Sequence, residues 1–203
     1  MLSLLFNNPI FFIIWAAALV AAITVHEFAH AWMADRLGDP TPSIQGRLTL
    51  NPKAHLDPLG TLTLVLVGFG WGKPVMFDPF NLRNPKRDAA LIALAGPASN
   101  FVFAFVLSLL ARIFPTLIPL FQLLISLNIM LAIFNLIPIY PLDGQKILTG
   151  LLPRELALEY EEIMRQYGTI LLIFLIWPFS GTSLVASLIN PAINFFLHLL
   201  LPW

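Results

Sequence analysis

His26, Glu27 and His30 form an H-E-x-x-H sequence inside a long apolar run. In a helix, residues i and i+4 share a face, so the two imidazoles can be offered to one metal ion. Glu27 stands beside them and could take a proton from a water activated by that metal. H-E-x-x-H alone arises often by chance; its setting sharpens it. From Pro9 to Ala34 no other ionisable residue occurs. Ionisable groups within a membrane span are costly and usually functional, which makes a pair of satisfied core histidines the weaker reading.

A catalytic zinc site takes three protein ligands and keeps a fourth position for water. The chain has no cysteine, so His, Asp or Glu must hold the metal, a donor set that suits zinc or another borderline metal. Asp35, Asp39, Asp57, Asp78 and Asp88 fall in loops or at helix ends, and Glu155, Glu159, Glu161 and Glu162 belong to a polar helical face. Asp143 differs: it follows a buried helix, beside Pro141 and Gly144, in an otherwise apolar strip. The alternative for Asp143 is a solvated aspartate at a helix end. His55, near Asn51 and Asp57, is its main rival as ligand and otherwise reads as loop structure or a gate. Asn100 and Asn135 are amides in apolar helices. They could bind substrate backbone or stabilise an oxyanion, or hydrogen-bond between helices. Gly96 and Ala98 suit close helix contact and favour the structural role for Asn100. His198, near Trp203, reads as interfacial. Phe101, Phe103, Phe105, Phe195 and Phe196 read as lipid-facing or packing surface.

The elements that must position these groups are those of a membrane protein. The chain has 203 residues, 58% hydrophobic and 11% charged, with mean hydropathy +0.83; soluble domains carry about 25% charged residues. Lys+Arg and Asp+Glu are 11 each, and this balance points to no nucleic-acid partner. The apolar N-terminus lacks a basic n-region and a small-residue cleavage site and reads as mature sequence. An all-α polytopic bundle of about five to six transmembrane helices is expected, as one domain over residues 1–203. Its catalytic core covers about 9–150, and an amphipathic helix with a helical hairpin covers 153–203.

Helix A runs from about Pro9 to Leu37, stopped by Gly38, Asp39 and Pro40. His26 lies about 25 Å from its start at 1.5 Å per residue, nearer its C-terminal end. Within the polar loop 39–57, Gln45–Leu50 alternate loosely and could form a short strand. The apolar stretch Pro58–Trp71, interrupted by Gly60, Gly68, Gly70 and Gly72, is too short to span and reads as re-entrant or as a strand pair. Helix C covers about Ala89–Ile113 and helix D about Thr116–Ile139, joined tightly as antiparallel neighbours. An amphipathic stretch Pro153–Tyr167 precedes two apolar segments, Gly168–Trp177 and Thr182–Trp203, which turn at Pro178–Gly181. Of the basic residues only Arg112 lies away from three clusters after helix A, before helix C and after helix D. If Pro58–Trp71 does not cross, all three face one side, which the positive-inside bias makes cytoplasmic.

His26-Glu27-x-x-His30, Gly96-Pro97-x-x-Asn100 and Asn135-x-x-Pro138-x-x-Pro141-x-Asp143-Gly144 together resemble the site-2 protease family of intramembrane zinc metalloproteases. Gly46-Arg47-Leu48-Thr49-Leu50-Asn51-Pro52, followed by His55, Asp57, Pro58 and Gly60, resembles a loop of many prokaryotic members. The motifs keep the family's order over about residues 24–145. The resemblance implies one zinc ion per chain, held by His26, His30 and Asp143, with Glu27 as catalytic acid/base. It implies a protein substrate with a transmembrane segment, and a prokaryotic cell (inner) membrane with the active site toward the cytoplasm. Its closest form is a minimal prokaryotic-type core without a PDZ or CBS domain. A helical substrate must unwind before its carbonyls can be attacked, and pairing with a strand from 45–50 or 58–72 could hold it extended. Two rivals share the histidines: a membrane metal-binding or transport protein and an inactive protease-like scaffold. A transporter should show ligands along a path and related halves, whereas polar residues here concentrate at one depth. A scaffold needs no base beside the metal.

Overall fold

The computed structural model describes residues 2–67, 70–178, 181 and 183–201. A short helix α1 (Leu2–Asn7) leads into α2 (Pro9–Arg36). Asn8 caps α2 by accepting from Phe11 N at 3.1 Å, and Pro9 occupies a first-turn position that lacks an intrahelical donor anyway. The helix ends where Gly38 takes φ +104°, a region that residues with a Cβ rarely adopt.

A short helix α3 (Thr41–Ile44) follows, then irregular chain to Asp57. The strand considered for residues 45–50 does not form. Arg47 N donates to Pro42 O and Thr49 N to Arg47 O, so local turns use the donors that a ladder would need. α4 (Pro58–Val67) is a ten-residue helix, about 15 Å long and too short to span. Leu56 and Gly72 bridge across its two ends, so the segment leaves and returns at one level: it is re-entrant. Gly60 and Gly70 permit the closure, because a Cβ on Gly60 would stand 2.2 Å from Trp71 O. Gly68, one of the expected interruptions, lies outside the described residues.

α5 (Pro85–Ile113) starts four residues earlier than the sequence suggests. Pro85 opens it, and the Asp88 carboxylate accepts from Asn84 N at 2.9 Å. α6 (Ile118–Asn135) stops before Ile139. Turns over 136–142 then deliver Asp143 as the first residue of α7 (Asp143–Leu151), so Asp143 opens a new helix instead of following the buried one directly. The amphipathic stretch and the apolar segment after Gly168 are one continuous helix, α8 (Arg154–Ile176). Gly168 does not break it; a Cβ there would meet Tyr140 Cβ at 2.7 Å, so the glycine serves packing. The chain reverses through a Pro178–Ser183 bridge into α9 (Leu184–Leu200). Phe179 and Ser180 of the expected turn, and Trp203, lie outside the described residues.

Among the described residues there is no named strand, and three helical segments are long and apolar enough to cross a membrane: Pro9–Arg36, Pro85–Ile113 and Pro115–Asn135. The five to six expected spans thus resolve into three long ones, the 23-residue α8 with its charged first half, the 17-residue α9 and the re-entrant α4. α2, α5 and α6 pack together around small residues, with α5 antiparallel to the other two. Ala18 and Leu19 meet Leu64 and Leu127, and Ala104, Leu107 and Ala111 meet Phe121, Ile125 and Ile129. Ile13, Val102 and Phe105 face outward, as lipid contact requires. Phe101 packs on Phe196 instead, with ring centroids 5.1 Å apart.

Candidate metal centre

On α2, His26 and His30 are one turn apart, both buried, with their rings edge to face. Their Nε2 atoms converge on one oxygen of Asp143, at 3.0 Å from His26 and 3.3 Å from His30. Ligand atoms of these three residues all lie within 4.8 Å of one another. α7 supplies Asp143 because a Cβ on Gly144 would stand 2.3 Å from Leu136 O, so only glycine lets the helix start this close to the preceding turn.

The donor set fits a metal for a further reason. His26 Nδ1 lies 2.7 Å from Asn100 Oδ1, and His30 Nδ1 lies 2.7 Å from Ile92 O. Both partners are oxygen acceptors on α5, so each Nδ1 donates and each Nε2 is left to face Asp143. Metal-binding histidines are oriented by such outer hydrogen bonds. Pro97 sits within α5, where its ring crowds the carbonyl one turn before it. Gly96 makes room for the pair: a Cβ there would come within 2.4 Å of His30 Nε2 and 2.7 Å of His26 Cε1.

Glu27 lines the same cavity as His26, His30 and Asp143. Its Oε2 is buried without a hydrogen-bond partner and stands 3.7 Å from Arg47 Nη2. Gly72 brings the re-entrant segment over it; a Cβ there would lie 3.3 Å from Glu27 Oε1. Arg47 is 3% exposed. It also donates to Ala54 O at 2.5 Å and to Lys73 O, which ties the loop to the returning chain. Burial pulls its guanidinium below the usual value, and the charge of Glu27 opposes that shift.

The remaining sequence candidates separate. Asn100 is fully buried on His26. Asn135 lines the cavity beside the centre, with Nδ2 donating to Leu131 O at 2.9 Å. His55 is buried with Nε2 on Thr49 O at 2.7 Å and lies outside the three-residue group; its backbone oxygen accepts from Lys73 N. The expected edge strand 45–50 is absent, and of the two candidate segments it is 58–72, through Leu64, Gly70, Trp71 and Gly72, that borders the cavity. That cavity, of about 670 Å³, is lined by Glu27, Trp71, Phe77, Asn135, Lys146 and Ile189 among others.

Sequence reasoning gave no site role to Arg47, Lys146 or Asn128. Arg47 stood within a quoted motif, and Lys146 is three residues past Asp143, hence on the same helical face. The Lys146 Nζ lies 4.9 Å from the Phe77 ring centroid.

Residues 112–175, which include Asp143, match the family model described as peptidase family M50. YwhC of Bacillus subtilis, described as a candidate zinc metalloprotease, is 35% identical over 85% of this chain and 84% of its own length. Rip2 of Mycolicibacterium smegmatis, described in the same terms, is 30% identical over 95% of this chain and 73% of its own. Zinc metalloprotease MJ0392 of Methanocaldococcus jannaschii is 27% identical over 93% of this chain, which spans 50% of that protein. No solved structure matches. With a 35% identical relative matched over most of both chains, and with a family model covering the segment that carries Asp143, the chain belongs to peptidase family M50, the site-2 protease family.

Proposed function

We propose that this protein is an intramembrane zinc endopeptidase that hydrolyses peptide bonds in or next to transmembrane segments of other proteins. The observation that carries the reading is the convergence of His26, His30 and Asp143, with both imidazoles turned by acceptors behind them. These three residues would hold zinc, one per chain. Bound zinc supplies Lewis-acid polarisation of a peptide carbonyl and acidifies a water.

Glu27 does the proton work. It lies beside the histidines with one oxygen free of hydrogen bonds, so it can accept a proton from the attacking water and return it to the leaving amine. Arg47 holds the loop and the returning chain against it. The cavity is large enough for an extended segment of a few residues, and its mostly apolar wall suits the side chains of an unwound membrane helix. Asn135, on that wall, is placed to contact the substrate backbone. His26 lies about 25 Å along α2, at the end near Arg36, Arg47 and Lys53. The positive-inside bias supports cleavage near the cytoplasmic leaflet of a prokaryotic cell membrane.

The test is cleavage of a panel of single-span proteins by purified wild type and Glu27→Gln in detergent, with bound zinc counted in both. Wild type should cut. The variant should keep one zinc and lose about 10³-fold or more in turnover, the scale of a general acid/base. A variant that cuts at the wild-type rate removes Glu27 from the mechanism, and a wild type without metal removes the centre.

A further inference from the structure

Asn128, on α6, touches neither His26 nor the cavity wall next to it, yet it ends a chain of hydrogen bonds that begins at that histidine. Asn128 Nδ2 donates to Leu124 O at 2.9 Å. Asn128 Oδ1 accepts from Asn100 Nδ2 at 2.8 Å. The same Nδ2 donates to Ala22 O at 3.1 Å, and Asn100 Oδ1 faces His26 Nδ1 at 2.7 Å. Asn100 and Asn128 are both fully buried.

The polarity of this chain is determined at its ends. Backbone carbonyls only accept, so Leu124 O and Ala22 O each require an amide nitrogen toward them. Asn128 must then present oxygen to Asn100, and Asn100 must present oxygen to His26. The imidazole must carry a proton on Nδ1, which leaves Nε2, 3.0 Å from Asp143 Oδ2, as the nitrogen free to bind a metal there. We propose that Asn128 is a positioning residue for the metal centre, setting through Asn100 the tautomer and ring orientation of His26. The chain crosses from α6 through α5 to α2, so it also relates the ligand helix to both other long spans. This inference rests on the zinc reading above.

The test is zinc affinity of the purified, metal-stripped protein in detergent, by competition with a chromophoric chelator, for wild type, Asn128→Leu and Asn128→Asp. The leucine removes the acceptor. The aspartate keeps an oxygen for Asn100 Nδ2 whether or not it is protonated. Asn128→Leu should bind zinc about tenfold more weakly, the low end for outer-shell partners, while Asn128→Asp stays within about twofold of wild type. Equal affinity in wild type and Asn128→Leu, or equal loss in both variants, overturns the role of Asn128 and leaves the zinc centre standing. A wild type that binds no zinc overturns the centre itself and this inference with it. Should Asn128→Leu fail to fold, nitrogen-15 histidine spectra of the zinc-loaded wild type decide. A slowly exchanging proton on His26 Nδ1 is expected, and coordination through Nδ1 overturns the proposal.

Discussion

Single atoms decide whether the two imidazoles can stand where they do. Gly96 is the sharpest case, because a methyl group there would occupy the place of His30 Nε2 and crowd His26. Gly96→Ala should fold with a loss of about 1–3 kcal/mol, the usual cost of overpacking. Its zinc affinity should fall about 10-fold or more, read by chelator competition; unchanged affinity would mean the rings sit elsewhere. His26, Glu27, His30 and Asp143 were legible in the sequence because an ionisable group in an apolar strip stands out. Arg47 was not. It lies in a polar loop where charge is ordinary, and its inward direction comes from the turns at Pro42 and Thr49, which no periodicity records.

Helices and loops were legible where hydropathy alone determines them and not where local hydrogen bonds or contacts do. The extent of α2 follows from a long apolar run closed by proline and glycine, whereas α5 begins four residues before its apolar run. The division between an amphipathic and an apolar piece within α8 was wrong, since a change of composition at Gly168 does not interrupt a backbone that packs on Tyr140. The loop after α2 depends on Asp39, fully buried, which accepts from Thr41 N, Thr41 Oγ1, Asp78 N and Asn81 Nδ2. Burial would raise this carboxyl, but the hydrogen bonds from Thr41, Asn81 and Asp78 outweigh it and hold it below its ordinary 3.8. A depressed carboxylate adds stability that is present above the unfolded value and lost as pH falls through the folded one. Thermal melting should therefore drop on the acid side below about pH 4. Asp39→Asn should flatten that limb and cost about 2 kcal/mol near neutrality; a variant with the wild-type acid limb would place its cause in other groups.

For the molecule as a whole, the re-entrant α4 sets the topology. Because Leu56 and Gly72 meet, the chain after α2 remains on one side until α5 begins. On that topology Lys53 and Arg112, both exposed, should lie on opposite faces of the membrane. The chain has no cysteine, so Lys53→Cys and Arg112→Cys each offer one thiol. In sealed vesicles an impermeant maleimide should label Lys53→Cys only from the cytoplasmic side and Arg112→Cys only from the other. Labelling of both from one side would require α4 to cross.

The candidate metal centre also has a history in time. His26 and Asp143 are 117 residues apart, and synthesis at about 5–20 residues per second separates them by roughly 6–23 s. During that interval α2 carries two imidazoles and a carboxyl group but lacks the aspartate that completes the group. A ribosome-bound chain stopped before Leu142 should insert yet retain no zinc. On this reading a newborn molecule is harmless to the membrane proteins around it until α7 has docked.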